Sequence, residues 1–188
     1  MNYLEILGTV IGVVYLYLEY KASAWLWAAS IAMPAIYLVV YYEAGLYADF
    51  GISIYYILAS LYGIFCWLRG NRKSETKDDA LPITHTPKSM YAPLAIVFLA
   101  IFAAIWYILS RFTDSTVPCA DAFTTALSIV AMWMLARKFV EQWIVWIVTD
   151  VACAILYAYK GLWFTGGLYL AYAIVAVFGY RKWKRLML

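Results

Sequence analysis

Four residues in one stretch of the chain carry its clearest chemical signal. Trp143, Trp146, Asp150 and Tyr157 follow one another at steps of three, four and seven, so a helix places them all on one side. A carboxylate among aromatic rings suits an organic cation. A desolvated cation over Trp or Tyr gains about 2 kcal/mol or more, and ring stacking adds to that. Asp150 could offset such a charge or accept a hydrogen bond from a sugar hydroxyl; it could equally tie helices together through Thr124, Thr125 or a tyrosine hydroxyl. Two further sets share helical faces: Ser53, Tyr56, Ser60, Gly63 and Trp67, and Trp27, Ser30, Pro34, Tyr37 and Tyr41. Trp133, on the stretch before, adds another ring.

Other chemistries lack material. The single histidine, His85, lies in a polar loop, and Cys66, Cys119 and Cys153 form no CxxC pair. There is no HExxH, no GxSxG and no glycine-rich phosphate loop. The sequence therefore predicts no enzyme, no metal site and no cofactor, with a membrane-embedded enzyme or a non-transporting scaffold as distant alternatives.

The elements that must position these residues are membrane helices. Of the 188 residues 66% are apolar or aromatic and only 13% charged, with a mean hydropathy of +0.78, whereas a soluble domain averages roughly 25% charged residues. About 20 apolar residues span a bilayer as a helix. The chain divides into seven such stretches, 4–18, 24–42, 49–69, 91–110, 118–136, 141–159 and 162–180, which predicts an all-α, multi-pass membrane protein. Residues 1–10 lack a basic n-region and read as the start of the first span. Trp25, Trp67, Trp163 and Trp183, near helix ends, read as interfacial anchors.

Only residues 70–90, with Gly, two prolines and mixed charges, read as a long solvated linker. With seven spans, Lys21, Arg69, Arg72, Lys73, Lys77, Lys88, Arg137, Lys138, Arg181, Lys182, Lys184 and Arg185 fall on one side of the membrane. Only Arg111 and Lys160 fall on the other. Cytoplasmic loops carry the basic excess, so the N-terminus is expected outside and the C-terminus in the cytoplasm. The basic tail directly follows a span and belongs to this pattern rather than to a nucleic-acid site.

Offsetting the sequence against itself by 116 residues pairs Thr9 with Thr125, Trp27 with Trp143, Ile31 with Ile147, Tyr41 with Tyr157, Gly45-Leu46 with Gly161-Leu162, Gly51 with Gly167, Tyr56 with Tyr172, Gly63 with Gly179, Trp67 with Trp183 and Arg69 with Arg185. This predicts a duplication: a first three-helix repeat in residues 1–70, a linker and linking helix in 71–117, and a second repeat in 118–188. The extra helix keeps the two repeats parallel, a 3+1+3 arrangement like that of the sugar carriers built from two three-helix bundles.

The stretches W-x-x-W-x-x-x-D from Trp143 to Asp150, Y-x-Y-K-G-L from Tyr157 and Gly179-Tyr180 leading to Trp183 resemble the signature of the PnuC family of vitamin transporters. So do Gly45-Leu46-Tyr47-Ala48-Asp49, Tyr55-Tyr56 and Tyr62-Gly63 leading to Trp67. The resemblance covers nearly the whole chain apart from the linker, and it implies two three-helix bundles joined by a linking helix. It also implies facilitated diffusion of an unphosphorylated cationic vitamin, nicotinamide riboside or, in another branch, thiamine, trapped afterwards by a cytoplasmic kinase. Where riboside carriers of the family often place glutamines, this chain has Ser53 and Met132. The expected substrate-binding residues are Trp27, Ser53, Tyr56, Trp133, Trp143, Trp146, Asp150 and Tyr157. The expected partners are the small cation, the lipid bilayer and a kinase, with self-association left open.

Overall fold

The long apolar runs, interrupted only by short polar turns, fold as helices. A computed structural model describes residues 3–43, 47–69 and 81–187. Seven helices occur among them: α1 (Tyr3–Tyr20), α2 (Leu26–Glu43), α3 (Tyr47–Arg69), α4 (Lys88–Phe112), α5 (Pro118–Ala136), α6 (Gln142–Tyr159) and α7 (Trp163–Leu186). Four stretches among the described residues, Phe50–Leu68, Lys88–Phe112, Pro118–Ala136 and Gln142–Tyr159, are long and apolar enough to cross a membrane. No residue of α4 is buried, and Ile96, Leu99, Trp106, Tyr107 and Ile108 stand exposed along it, a surface suited to lipid rather than water.

The chain forms two compact units, Met1–Pro82 with α1 to α3, and Ile83–Leu188 with α4 to α7. In the first, α2 packs on α1 and α3; in the second, α5 lies against α4 and α6, and α6 against α7. α4, expected as a linking helix, thus groups with the helices that follow it.

Each unit is held by one tryptophan pair. Trp27 meets Trp67 edge to face at 5.7 Å and 89°, and Trp143 meets Trp183 at 5.6 Å and 87°. Both pairs depend on a glycine: a Cβ at Gly63 would collide with the Trp27 ring, and one at Gly179 would stand 2.7 Å from the Trp143 ring. Trp67 and Trp183 are consequently core residues, 4% and 0% exposed, and the expectation that they anchor the chain at the membrane surface is corrected. Trp25 and Trp163, at 74% and 75%, are exposed. The need for Trp183 to reach Trp143 also carries α7 six residues beyond the expected end at 180, through the basic segment.

The α1–α2 and α5–α6 connectors repeat one hydrogen-bond pattern at the offset of 116 residues. The amide of Ser23 donates to Leu18 (2.9 Å) as that of Phe139 does to Met134 (3.0 Å), and the amide of Leu26 donates to Ser23 (3.1 Å) as that of Gln142 does to Phe139 (3.2 Å). Both turns pass through a left-handed residue that is not glycine, Ala22 at φ 53° and Lys138 at φ 52°.

The expected linker 70–90 divides. Residues 70–80 lie outside the described residues, while the stretch after Ile83 is bound rather than merely solvated. Thr84 forms a parallel bridge with Phe139, its amide donating to Lys138 O (3.1 Å) and its carbonyl accepting from Val140 (3.0 Å). Glu141 completes the attachment, accepting from the Thr86 amide (2.7 Å) and hydroxyl (2.8 Å) and lying 2.6 Å from His85 Nδ1. Lys138, within this connector, is 3% exposed, and burial pushes its ammonium down to about 8.

Candidate functional site

The regular step of α6 builds the site in the second unit. Gln142, Trp146 and Asp150 stand four residues apart, so one stripe of the helix presents all three over roughly 12 Å of its length. Asp150 is 6% exposed, and no hydrogen bond or ion pair within the described residues reaches its carboxylate. Tyr172 and Cys153 are its electrostatic neighbours. Further along, Tyr157 stacks on Tyr169 at 5.2 Å and 11°, and Tyr169 meets Tyr172 edge to face at 5.8 Å. A carboxylate beside the Tyr172 phenol, with two more phenol rings continuing from it and an indole on the same helix stripe, is an environment for a flat cation, combining opposite charge with ring faces.

The tie expected between Asp150 and Thr124 or Thr125 is not made. Both threonines return their hydroxyls to their own helix, Thr124 to the carbonyls of Ala120 and Asp121 (both 3.1 Å) and Thr125 to that of Asp121 (2.7 Å). Back-bonding to the preceding turn satisfies a helical threonine without a partner helix. The polar link from α5 to α6 runs instead between Thr124 and Cys153. At the α5 N-terminus, Lys160 Nζ donates to Asp121 Oδ1 (2.9 Å) and Ser115 Oγ to Oδ2 (2.8 Å).

The remaining expected residues fall into separate settings. Trp143, 1% exposed, is engaged with Trp183; Trp27, 0% exposed, with Trp67. Trp133 tilts onto Phe139 at 5.9 Å and joins an apolar cluster with Val130, Met134, Leu94 and Phe98. In the first unit, α3 buries Ser53 and Ser60 on the face it shares with Tyr56, and Ser30 of α2 donates to Ser60 Oγ (2.7 Å), whose own proton goes to the Tyr56 carbonyl (2.7 Å). Tyr56 meets Tyr55 edge to face at 5.5 Å. Clefts of about 430 Å³ beside His85 and Lys184, and of about 340 Å³ between α4, α5 and α6, contain none of the expected residues.

Sequence reasoning missed three kinds of residue. Glu19, 2% exposed near the end of α1, is a second buried carboxylate and shares a hydrogen bond with Tyr15. Tyr169 and Tyr172 complete the ring cluster; their step of three within α7 was a readable signal. Gln142 is 0% exposed with neither amide atom partnered among the described residues, and the Trp146 indole N–H is likewise buried and unpartnered. The spacing of Gln142 from Trp146 was visible, but its place at the mouth of a helix reads as solvated until the fold is known.

Comparison with known proteins agrees with the fold. The family model described as "Nicotinamide mononucleotide transporter" matches residues 2–185. The nicotinamide riboside transporter PnuC of Escherichia coli (strain K12) is 22% identical over 207 aligned positions, covering 97% of this chain and 85% of that protein. The riboflavin/roseoflavin transporter RibM of Streptomyces davaonensis is 26% identical, covering 95% and 83%. The crystal structure of the vitamin B3 transporter PnuC has a TM-score of 0.70 at 21% identity and covers 96% of this chain and 80% of that one.

Proposed function

The chain belongs to the nicotinamide mononucleotide transporter family, that of the PnuC carriers; as such it is a membrane transporter and not an enzyme, and from that premise we propose that it takes up a cationic vitamin, nicotinamide riboside. The observation that carries this reading is Asp150: a buried carboxylate with no partner among the described residues, on the helix stripe of Trp146 and beside Tyr172, from which the Tyr169 and Tyr157 rings continue. A carboxylate held among aromatic faces rewards a flat positive ring more than a neutral one. In the second unit Trp146, Asp150 and Tyr157 contact the cargo in this reading, and Trp143 and Trp133 hold the helices that present them; in the first unit Ser53 and Tyr56 are candidate contacts on α3, which Trp27 holds.

The same reading takes the two units as copies of one three-helix repeat, with α4 as the linking helix, seven spans in all, the N-terminus outside and the C-terminus in the cytoplasm. Matched tryptophan pairs and connector turns at one sequence offset support it. Movement in this reading is by facilitated diffusion, supported by the lack of a phosphate loop in the sequence and of linked carboxylates among the described residues; a cytoplasmic kinase then retains the product. Two other cargoes have specific support. Thiamine is also a cationic heteroaromatic, and Ser53 and Met132 stand where riboside carriers often have glutamine. RibM, a riboflavin carrier, is a relative of similar identity.

Uptake of radiolabelled nicotinamide riboside, thiamine and riboflavin into proteoliposomes separates these. The expected result is saturable riboside entry that equilibrates without accumulation, and at least tenfold weaker riboside binding by a folded Asp150→Asn variant. Preferential uptake of riboflavin, or unchanged cation binding in Asp150→Asn, would refute the counter-ion role.

A further inference from the structure

Gln142 occupies a position whose packing requirement can be read elsewhere in the same chain. The residue at the matching place of the α1–α2 turn, 116 positions earlier, is Leu26. Both are 0% exposed, and both begin their helix with the same backbone bond, to Ser23 O at 3.1 Å and to Phe139 O at 3.2 Å. Each directly precedes the tryptophan, Trp27 or Trp143, that packs over a glycine. An apolar side chain of similar size therefore meets the structural demand of this turn. Gln142 meets it at a cost, since its amide oxygen and nitrogen are both buried with no partner among the described residues. Leaving such groups unpaired is destabilising, and replacing them by an apolar group of similar shape is neutral or better.

An unpaired amide kept where leucine would fit has a role outside packing. Its position says which. Gln142 stands one turn from Trp146, whose indole N–H is also buried and unpartnered, and two turns from Asp150. The stripe thus offers, in order, an amide with two donors and an acceptor, a ring with one donor, and a carboxylate. Only the carboxylate and the rings answer to a cationic heteroaromatic core. The amide answers to a substituent that both donates and accepts, as a primary carboxamide does.

We propose that Gln142 is a specificity-determining residue of the transporter, pairing with a carboxamide on the cargo when the stripe is engaged. The proposal rests on the cationic-vitamin reading above. It adds a discrimination that Asp150 and Trp146 cannot supply, because charge and stacking are common to every flat cation, whereas a buried amide left unpaired selects against a cargo that lacks the group.

The test uses the full chain in nanodiscs and two probes, nicotinamide riboside and the pyridinium riboside lacking the carboxamide, with affinity measured by titration calorimetry and folding by thermal unfolding. The wild type is expected to prefer the carboxamide-bearing probe by tenfold or more. Gln142→Leu, and Gln142→Met as an unbranched second variant, are expected to stay folded with a Tm no lower than the wild type. They should bind the truncated probe as before and lose the preference to within about threefold. An undiminished preference in either folded variant would overturn the proposal while leaving the cationic-vitamin reading intact. Failure of both variants to fold would overturn it in favour of a structural glutamine. Absence of riboside binding by the wild type would overturn the cationic-vitamin reading, and this proposal with it.

Discussion

The Trp143 ring stands 2.7 Å from where a Cβ at Gly179 would be, so its seat against α7 exists because position 179 has no side chain. The ring is in turn fixed edge-on by Trp183. In the first unit Gly63, Trp27 and Trp67 do the same.

Gly179→Ala and Gly63→Ala should each destabilise the protein. The inserted methyl meets a ring that a second tryptophan prevents from moving, and overpacking of this kind typically costs about 1–3 kcal/mol. Thermal unfolding in detergent reads the loss. Gly167→Ala, where a Cβ meets nothing within 4 Å, is the control and should be near neutral. Equal Tm values for Gly179→Ala and Gly167→Ala would contradict the packing described.

Trp146→Ala and Trp183→Ala should part company. Loss of the Trp146 face removes a stacking partner worth about 1–3 kcal/mol by analogy with aromatic platforms that bind bases, or tenfold and more in Kd. Loss of Trp183 opens a cavity in the core, costing about 3–5 kcal/mol of stability. Binding and unfolding measured on both variants distinguish the two effects; weakened stability with normal affinity in Trp146→Ala would place that ring in the packing.

Lys138 gives stability a dependence on alkaline pH. Its folded value, about 8, lies below the ordinary 10.5, so between these limits the unfolded chain holds a proton that the folded chain has released. Stability therefore rises with pH across that window, by at most about 1.4 kcal/mol for each unit of difference. Below about pH 8 both forms are protonated and the cost of burying the charge is constant. Thermal unfolding of wild type and Lys138→Gln from pH 7 to 10 should show the wild type gaining on the variant; parallel curves would exclude the effect.

Orientation has its own test. A reporter fused after Leu188 should be cytoplasmic, and one inserted between Thr113 and Ser115 should be external. Recovery of both on the same side would end the seven-span model.

Helices and their order were legible because apolar run length and short polar turns leave a bilayer protein few alternatives. The faces of α3 and α6 were legible too, since a period near 3.6 puts Trp143, Trp146 and Asp150 on one side whatever surrounds them. What the sequence concealed was the use of each side chain. Trp183 has the composition of an interfacial anchor, and only the missing side chain at Gly179 turns it into core. Thr124 has the hydroxyl to reach Asp150, but its own helix offers a nearer acceptor. Residues 83–86 look solvated because attachment to Phe139 and Glu141 is a contact across more than fifty positions, which local composition does not record.

That attachment bears on how the protein meets bilayers of different thickness. A connector at the membrane surface normally depends on water or lipid headgroups to satisfy its backbone, and this limits how far it can sink. In the α5–α6 connector the Lys138 carbonyl and the Val140 amide are satisfied by Thr84, so they make no demand on solvent. The matching groups of the α1–α2 connector, the carbonyl of Ala22 and the amide of Ala24, have no such strand among the described residues. With both connectors at the membrane surface, as the seven-span proposal has them, the α1–α2 connector draws on water or headgroups for groups that the α5–α6 connector satisfies within the protein. On that proposal, a change in bilayer thickness bears more on the hydration of the first unit's connector than on that of the second.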